Sequence, residues 1–342
     1  MSEICVERIH EDMISDLPND LLIHILSLLP PQDALNTMVL SKRWRFLWTT
    51  VPKLVIDFNF DYTTSLIYKC KTLVHLTLSN NVLVDVPSRA CLPSLKSLNL
   101  NCVAYKDQES PVKLLSSCPN LRDLSVTRKS GYDYVTRSLV IDSPALRYLK
   151  IYDPTGDYRS IQNTPRLGVA LLYIVTNTRA GFHPNDTFLK SFSSVRFLDL
   201  ILNQVACISD INFNRLTQLK LSLFHSQSWL EPLMIFLHNS PVLKVLMINT
   251  CLSDDSLWRS WRKPISVPVC LLSHLEIFEW KSYVGIGAEK QFLEYILANS
   301  KCLKTVGISS RYMSDDVESM YRVSASSQLL FSTQWRWRSM EN

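Results

Sequence analysis

The chain has 342 residues with a net charge of +5, 46% hydrophobic and 20% charged, a composition that folds rather than stays disordered. Only seven glycines stand against fifty-two leucines, and the one G-x-G, Gly285-Ile286-Gly287, has Lys290 where a dinucleotide fingerprint needs its third glycine. There is no G-x-x-x-x-G-K-[ST], no G-x-S-x-G and no run near the ~18 apolar residues of a membrane helix, so P-loop chemistry, a serine elbow and a helical span are excluded.

The first sixteen residues, MSEICVERIHEDMISD, mix in acidic side chains and carry no signal-peptide core. The nine cysteines are scattered without a C-x-x-C, so buried, reduced thiols and a reducing compartment, nucleus or cytoplasm, are expected. Three short helices follow in 12–52. The first has Asp16 as candidate cap, Pro18 in its first turn and Asp20 at its positive end. Its apolar residues Leu21, Leu22, Ile25, Leu26, Leu28 and Leu29 cover more than one face, and Pro30-Pro31 ends it. A second helix is predicted from Gln32 to about Val39, and Ser41 would cap a third carrying Trp44, Phe46, Leu47 and Trp48. So small a bundle buries too little to stand alone, and its surplus apolar area points to a partner.

From residue 73 onward the motif L-x-x-L-x-L, with apolar substitutes, recurs ten times. The units begin at Leu73, Leu95, Leu121, Leu146, Val169, Val195, Leu216, Leu243, Leu275 and Leu303. Their spacing of 21 to 32 residues is that of leucine-rich repeats. The last two apolar positions of each unit share one side of a short strand, and no unit buries that side alone, so parallel strands must stack. Leads such as Cys118-Pro119 and Ser143-Pro144 set up the extended segment, and helical spacing over 112–117 and 230–239 predicts a convex side. The intervening positions Thr77, Asn99, Ser125, Lys150, Asp199, Lys220, Met247, Glu279 and Gly307 would be exposed and read a target.

Seven dispersed histidines make no H-x-x-x-H or zinc spacing with cysteine. Asp254-Asp255 and Asp315-Asp316 lack the alternating oxygens of a calcium loop. No cofactor is expected. Trp335-Arg336-Trp337-Arg338 has the alternation that stacks bases and pairs phosphates, but four residues read better as an edge strand or tail, and no nucleic-acid partner is expected.

The string LPNDLLIHILSLLPPQDALNTMVLSKRWRFLW resembles a plant-type F-box, and residues 270–309, CLLSHLEIFEWKSYVGIGAEKQFLEYILANSKCLKTVGIS, resemble the FBD region that ends many plant F-box/leucine-rich-repeat proteins. The resemblance implies an α/β chain of three parts: a small three-helix F-box at 12–52, an irregular leucine-rich-repeat solenoid with parallel strands at 53–264, and an FBD-type region at 265–342 that continues it. It also implies a non-catalytic receptor subunit of an SCF-type ubiquitin ligase, with a Skp-type adaptor linking it to cullin and RING subunits and the repeats holding a target protein. Adaptor-facing residues would be Leu17, Pro18, Leu21, Leu22, Ile25, Leu26, Leu29, Leu40, Ser41 and Trp44, with Leu17, Pro18, Ile25 and Trp44 as anchors. One departure stands out: only Asp57 to Ser65 separate the F-box exit from the first clear repeat, a shorter link than the family generally has. The competing reading is a repeat scaffold or ligand sensor that does not engage the ligase.

Overall fold

The computed structural model describes residues 14, 16–29, 31–48, 50–57, 67–68, 70–128, 139–153, 158–174, 186–202, 211–224, 230–251, 261, 263–285, 287–310 and 317–331. The link at 58–66, both Asp-Asp pairs and the Trp-Arg alternation at 335–338 lie outside the described residues.

Three helices open the chain: α1 (Asn19–Leu28), α2 (Pro31–Asn36), which runs into a 3-10 turn at Thr37–Val39, and α3 (Lys42–Trp48). Ser41 caps α3 as its side chain predicts, its Oγ accepting the Trp44 N–H at 3.4 Å. Asp16 is not the cap of α1. That place is held by Pro18, whose carbonyl accepts the Leu21 and Leu22 N–H groups at 3.1 and 3.2 Å, and no side chain caps the helix.

The rest is a strand array. Its strands are β1 (Lys53–Ile56), β2 (His75–Ser79), β3 (Leu83–Val84), β4 (Ser97–Asn101), β5 (Ala104–Tyr105), β6 (Asp123–Thr127), β7 (Leu139–Asp142), β8 (Tyr148–Asp153), β9 (Tyr158–Gln162), β10 (Val169–Ile174), β11 (Phe197–Leu202), β12 (Gln218–Phe224), β13 (Val245–Cys251), β14 (Ile277–Tyr283), β15 (Thr305–Ser310) and β16 (Gln328–Phe331). Twelve form one parallel sheet in the order β1-β2-β4-β6-β8-β10-β11-β12-β13-β14-β15-β16, and β3-β5 and β7-β9 pair apart from it. Helices α4 (Ser110–Ser116), α5 (Asp186–Lys190), α6 (Leu230–His238), α7 (Val269–Ser273) and α8 (Gly287–Asn299) lie between strands. α4 and α6 fall where helical spacing places them.

Register follows the leucines. Leu76, Leu98, Leu124 and Leu149 are partners in succession, as are Leu78, Leu100, Val126 and Ile151, and all are buried. Each such side chain contributes about 1.5–3 kcal/mol of burial that exists only while its neighbours are stacked. Two strands escape the motif search, β1 and β16, so the array is longer at both ends than ten units. One unit sits in a different register from that expected. Ala170 pairs with Leu149 and Leu198, and Leu172 with Ile151 and Leu200, so the fifth unit is Leu167, Ala170, Leu172 and not Val169, Leu172, Ile174. Alternation continues through Ile174, so both registers satisfy the pattern, and a small alanine hides the true one.

Turns explain the prolines. In the leads Cys118-Pro119 and Ser143-Pro144 the carbonyl three residues before the first leucine accepts that leucine's N–H, Cys118 from Leu121 at 3.2 Å and Ser143 from Leu146 at 3.1 Å. Pro119 and Pro144 occupy the second turn position, which their fixed φ suits. Asn80 and Asn81 supply the left-handed conformations, φ 55° and 64°, that glycine would supply elsewhere. One core runs from Leu22 to Met320, with α2 packed on β1, so helices and sheet form one body. Near its end Trp261 meets Phe292 and Tyr295 edge-on, and Trp280 meets Tyr283 and Phe292. At the start of α8, Glu289 Oε2 accepts the Val284 and Gly285 N–H groups at 2.9 and 3.0 Å, a carboxylate reaching back from the first turn.

Candidate functional site

Two surfaces stand out, one on the helices and one on the sheet. On the helices, Leu22, Leu26, Ala34, Trp44 and Leu47 fill the interior. Arg43 pins the start of α3 to the start of α1, donating through Nη2 to the Leu17 carbonyl and through Nε to Asn19 Oδ1 at 3.0 Å. Outside that interior, large apolar side chains are exposed: Leu21 is 51% exposed, Leu28 72%, Val39 84%, Leu40 63% and Phe46 61%. Pro18, Leu21, Ile25 and Leu28 follow helical spacing beside the buried stripe of Leu22 and Leu26. Exposed apolar side chains gathered on so small a bundle mark a protein-docking surface.

The expected adaptor residues sort into three groups. Pro18, Leu21, Leu40 and Ser41 are exposed. Leu17, Ile25 and Leu29 are half-buried against the core. Leu22, Leu26 and Trp44 are buried within it, which corrects their assignment: Trp44 anchors the three helices to one another and presents no face to a partner. Leu28, Val39, Phe46 and Ile14 are exposed residues that sequence reasoning passed over. Leu28 was within reach, since it lies seven residues from Leu21 on the same face.

On the sheet, the face away from the leucines carries the expected reading positions in one unbroken row: Thr77, Asn99, Ser125, Lys150, Leu171, Asp199, Lys220, Met247, Glu279 and Gly307 are successive partners. Thr77, Asn99, Ser125, Lys150 and Lys220 are half-exposed, but Asp199, Met247 and Glu279 are buried, so these three are not the exposed readers expected of them. Short residues leave one another open to solvent, whereas long ones lie across their neighbours. Asp199 Oδ2 accepts from Lys220 Nζ at 2.8 Å and from the Tyr173 hydroxyl at 3.1 Å. Register correction also moves Leu171 and Val169 onto the open face. Leu171 completes the row, and Tyr148, Val169 and Phe197 are successive partners in the row beside it, all half-exposed. Among the described residues no group of three or more His, Cys, Asp or Glu side chains could hold a metal ion.

Comparison with known proteins finds three family models that match parts of the chain. An F-box domain model matches residues 14–55, a model of the leucine-rich repeats of the FBD-associated F-box protein At5g56370 matches 54–182, and an FBD model matches 263–308. One Arabidopsis thaliana relative, At1g22000, described as an F-box/FBD/LRR-repeat protein, is 35% identical over 449 aligned positions that cover 98% of this chain and 94% of the relative. The Arabidopsis thaliana F-box/FBD/LRR-repeat protein At4g26340 is 32% identical over 94% of this chain and all of its own length, and the FBD-associated F-box protein At5g60610 of the same plant is 29% identical over 87% and all of its own. The alignment of 449 positions against a chain of 342 residues leaves over a hundred positions filled only in the relative. Even so, the ladder from β1 to β16 has no break.

Proposed function

Since the chain belongs to the plant F-box/FBD/leucine-rich-repeat family, we propose that it is the substrate-receptor subunit of an SCF-type ubiquitin ligase. The helical module docks on a Skp-type adaptor, which joins it to cullin and RING subunits, and the open face of the sheet holds a target protein. The observation that carries this reading is the set of exposed apolar side chains Leu21, Leu28, Val39, Leu40 and Phe46, outside the buried group of Leu22, Leu26, Ala34, Trp44 and Leu47. Large apolar groups of this kind supply most of the energy of an interface in which one helical face enters a groove. The chain performs no chemical step. It raises the local concentration of target lysines beside a charged conjugating enzyme, which is catalysis by proximity.

The test is co-purification with a Skp-type adaptor. Wild type retains the adaptor, and Leu21→Asp with Leu40→Asp loses it while keeping its melting temperature. Failure of the wild type to retain the adaptor overturns the reading. The protein acts in the nucleus, the cytoplasm or both, and imaging of a fluorescent fusion decides which.

A further inference from the structure

The residue before each strand forms a ladder of its own. The Lys96 carbonyl accepts the Arg122 and Asp123 N–H groups at 2.8 and 2.9 Å, Arg122 those of Arg147 and Tyr148 at 2.8 and 3.0 Å, Arg147 those of Gly168 and Val169 at 2.9 and 3.1 Å, and Gly168 those of Arg196 and Phe197 at 2.8 and 3.1 Å. These forked bonds hold equivalent residues one strand apart, about 4.8 Å. Cations occupy the rungs at Lys96, Arg122, Arg147 and Arg196, and where the rung is Gly168 or Thr217 an arginine stands two residues earlier in the turn, Arg166 and Arg215. All six are exposed, and none has a side-chain hydrogen bond or ion pair among the described residues. Farther along, Lys244 and Lys304 share Glu276 at 3.5 and 2.6 Å, so the cation-rich stretch is the six strands β4, β6, β8, β10, β11 and β12, about 24 Å from end to end, with the Asp123 carboxylate attracted to Arg122 and Arg147 within it.

The fold does not require these charges. Backbone atoms make the ladder, and Val74, Gly168, Thr217 and Glu276 hold the same rung without a cation. Asp123 offsets only part of the charge of six cations in a line, and what remains is repulsive unless a partner neutralises it. We propose that this ridge docks an extended acidic segment of the target protein, one with apolar side chains interleaved among its carboxylates. The proposal rests on the receptor reading in treating that partner as the target. Guanidinium forks match carboxylates two bonds at a time. The adjoining row of Tyr148, Val169 and Phe197 is half-exposed and offers apolar contact one position away. A nucleic acid fits less well. Val169 offers no ring on which a base can stack, and Asp123 stands inside the ridge, where a phosphate chain would meet it and a peptide can place a neutral residue.

The test uses the full chain and fluorescence anisotropy of a labelled fourteen-residue peptide of glutamates with leucine at every fourth position. Controls are the same peptide with glutamine for glutamate and a fifteen-nucleotide polyuridine. Arg147→Glu with Arg196→Glu weakens the glutamate peptide more than about tenfold, whereas Arg147→Lys with Arg196→Lys stays within about threefold and loses affinity as salt rises. Arg89→Glu with Lys263→Glu changes net charge equally at exposed cations outside the ladder and leaves binding within about threefold. The proposal is overturned by absence of binding to wild type, by equal binding of the glutamine peptide, by tighter binding of the polyuridine, or by an equal loss in the Arg89/Lys263 variant. Melting temperature and adaptor retention are measured on every variant. Lost peptide with retained adaptor is the expected pattern, and failure of adaptor retention alone strikes the receptor reading and leaves the ridge standing.

Discussion

Arg128 Nη1 lies 3.2 Å from Asp153 Oδ2, with 9% and 0% of the two side chains exposed, and so ties the residue after β6 to the last residue of the adjacent β8. A charge in so dry a place is tolerable only while its partner stands beside it. Asp153→Ala is expected to lower stability by about 3–5 kcal/mol in urea titrations followed by circular dichroism. Arg128→Met combined with Asp153→Leu should recover much of that loss, because an apolar pair needs no compensating charge. A double variant as unstable as the single one would show that geometry, not charge, holds the site.

The helical module separates packing from docking at neighbouring positions. Trp44→Ala should cost about 3–5 kcal/mol as a core truncation and lose the adaptor only through unfolding. Val39→Asp and Phe46→Asp, at exposed positions, should weaken adaptor retention with stability changed by less than about 0.5 kcal/mol. Thermal melts beside adaptor capture distinguish the two behaviours. Capture unaffected by both aspartates would place the adaptor on another face.

Thiol reactivity should follow burial. Burial pushes the thiols of Cys70 and Cys118 up to about 11 and that of Cys270 up to about 12, whereas Cys91 and Cys302 are exposed. At pH 8 the buried three carry almost no thiolate, the form that reacts. Timed alkylation with peptide mapping should label Cys91 and Cys302 within minutes, and Cys70, Cys118 and Cys270 only after denaturant is added.

Glu289 gives a pH signature. Burial raises its pKa above the ordinary 4.5, opposed by the Val284 and Gly285 N–H groups. Between 4.5 and that raised value the folded chain holds a proton that the unfolded chain has released, and this carboxyl's contribution to stability falls as pH rises through that window. Glu289→Gln removes that dependence. The difference in melting temperature, wild type minus variant, should shrink as pH climbs from 4.5 toward neutrality, and a difference that grows would mean the carboxyl is ionised and stabilising.

Much of this architecture is legible in the leucines. Leu98 and Leu100, or Leu246 and Ile248, announce strands because no other arrangement hides both. The end strands are not legible for a physical reason: β16 has Ser326 where a unit's first leucine belongs, and β1, with Val51, Leu54 and Ile56, reads as the exit of the helices. The candidate sites were less visible. Leu21 and Leu22 are the same residue type one position apart, and only the path of α1 decides that one is exposed and the other enclosed. Asp199 and Thr77 hold equivalent strand positions, yet Tyr173 and Lys220 cover the first while short neighbours leave the second open.

Each strand bonds only to the strands beside it, so distance along the molecule is counted in whole repeats. With twelve strands about 4.8 Å apart, the far end of the sheet lies about 53 Å of travel from β1. Under the receptor reading the array is then a spacer as well as a surface. Its length sets how far from the adaptor a target is held, and each repeat added or removed moves the far end by one strand spacing.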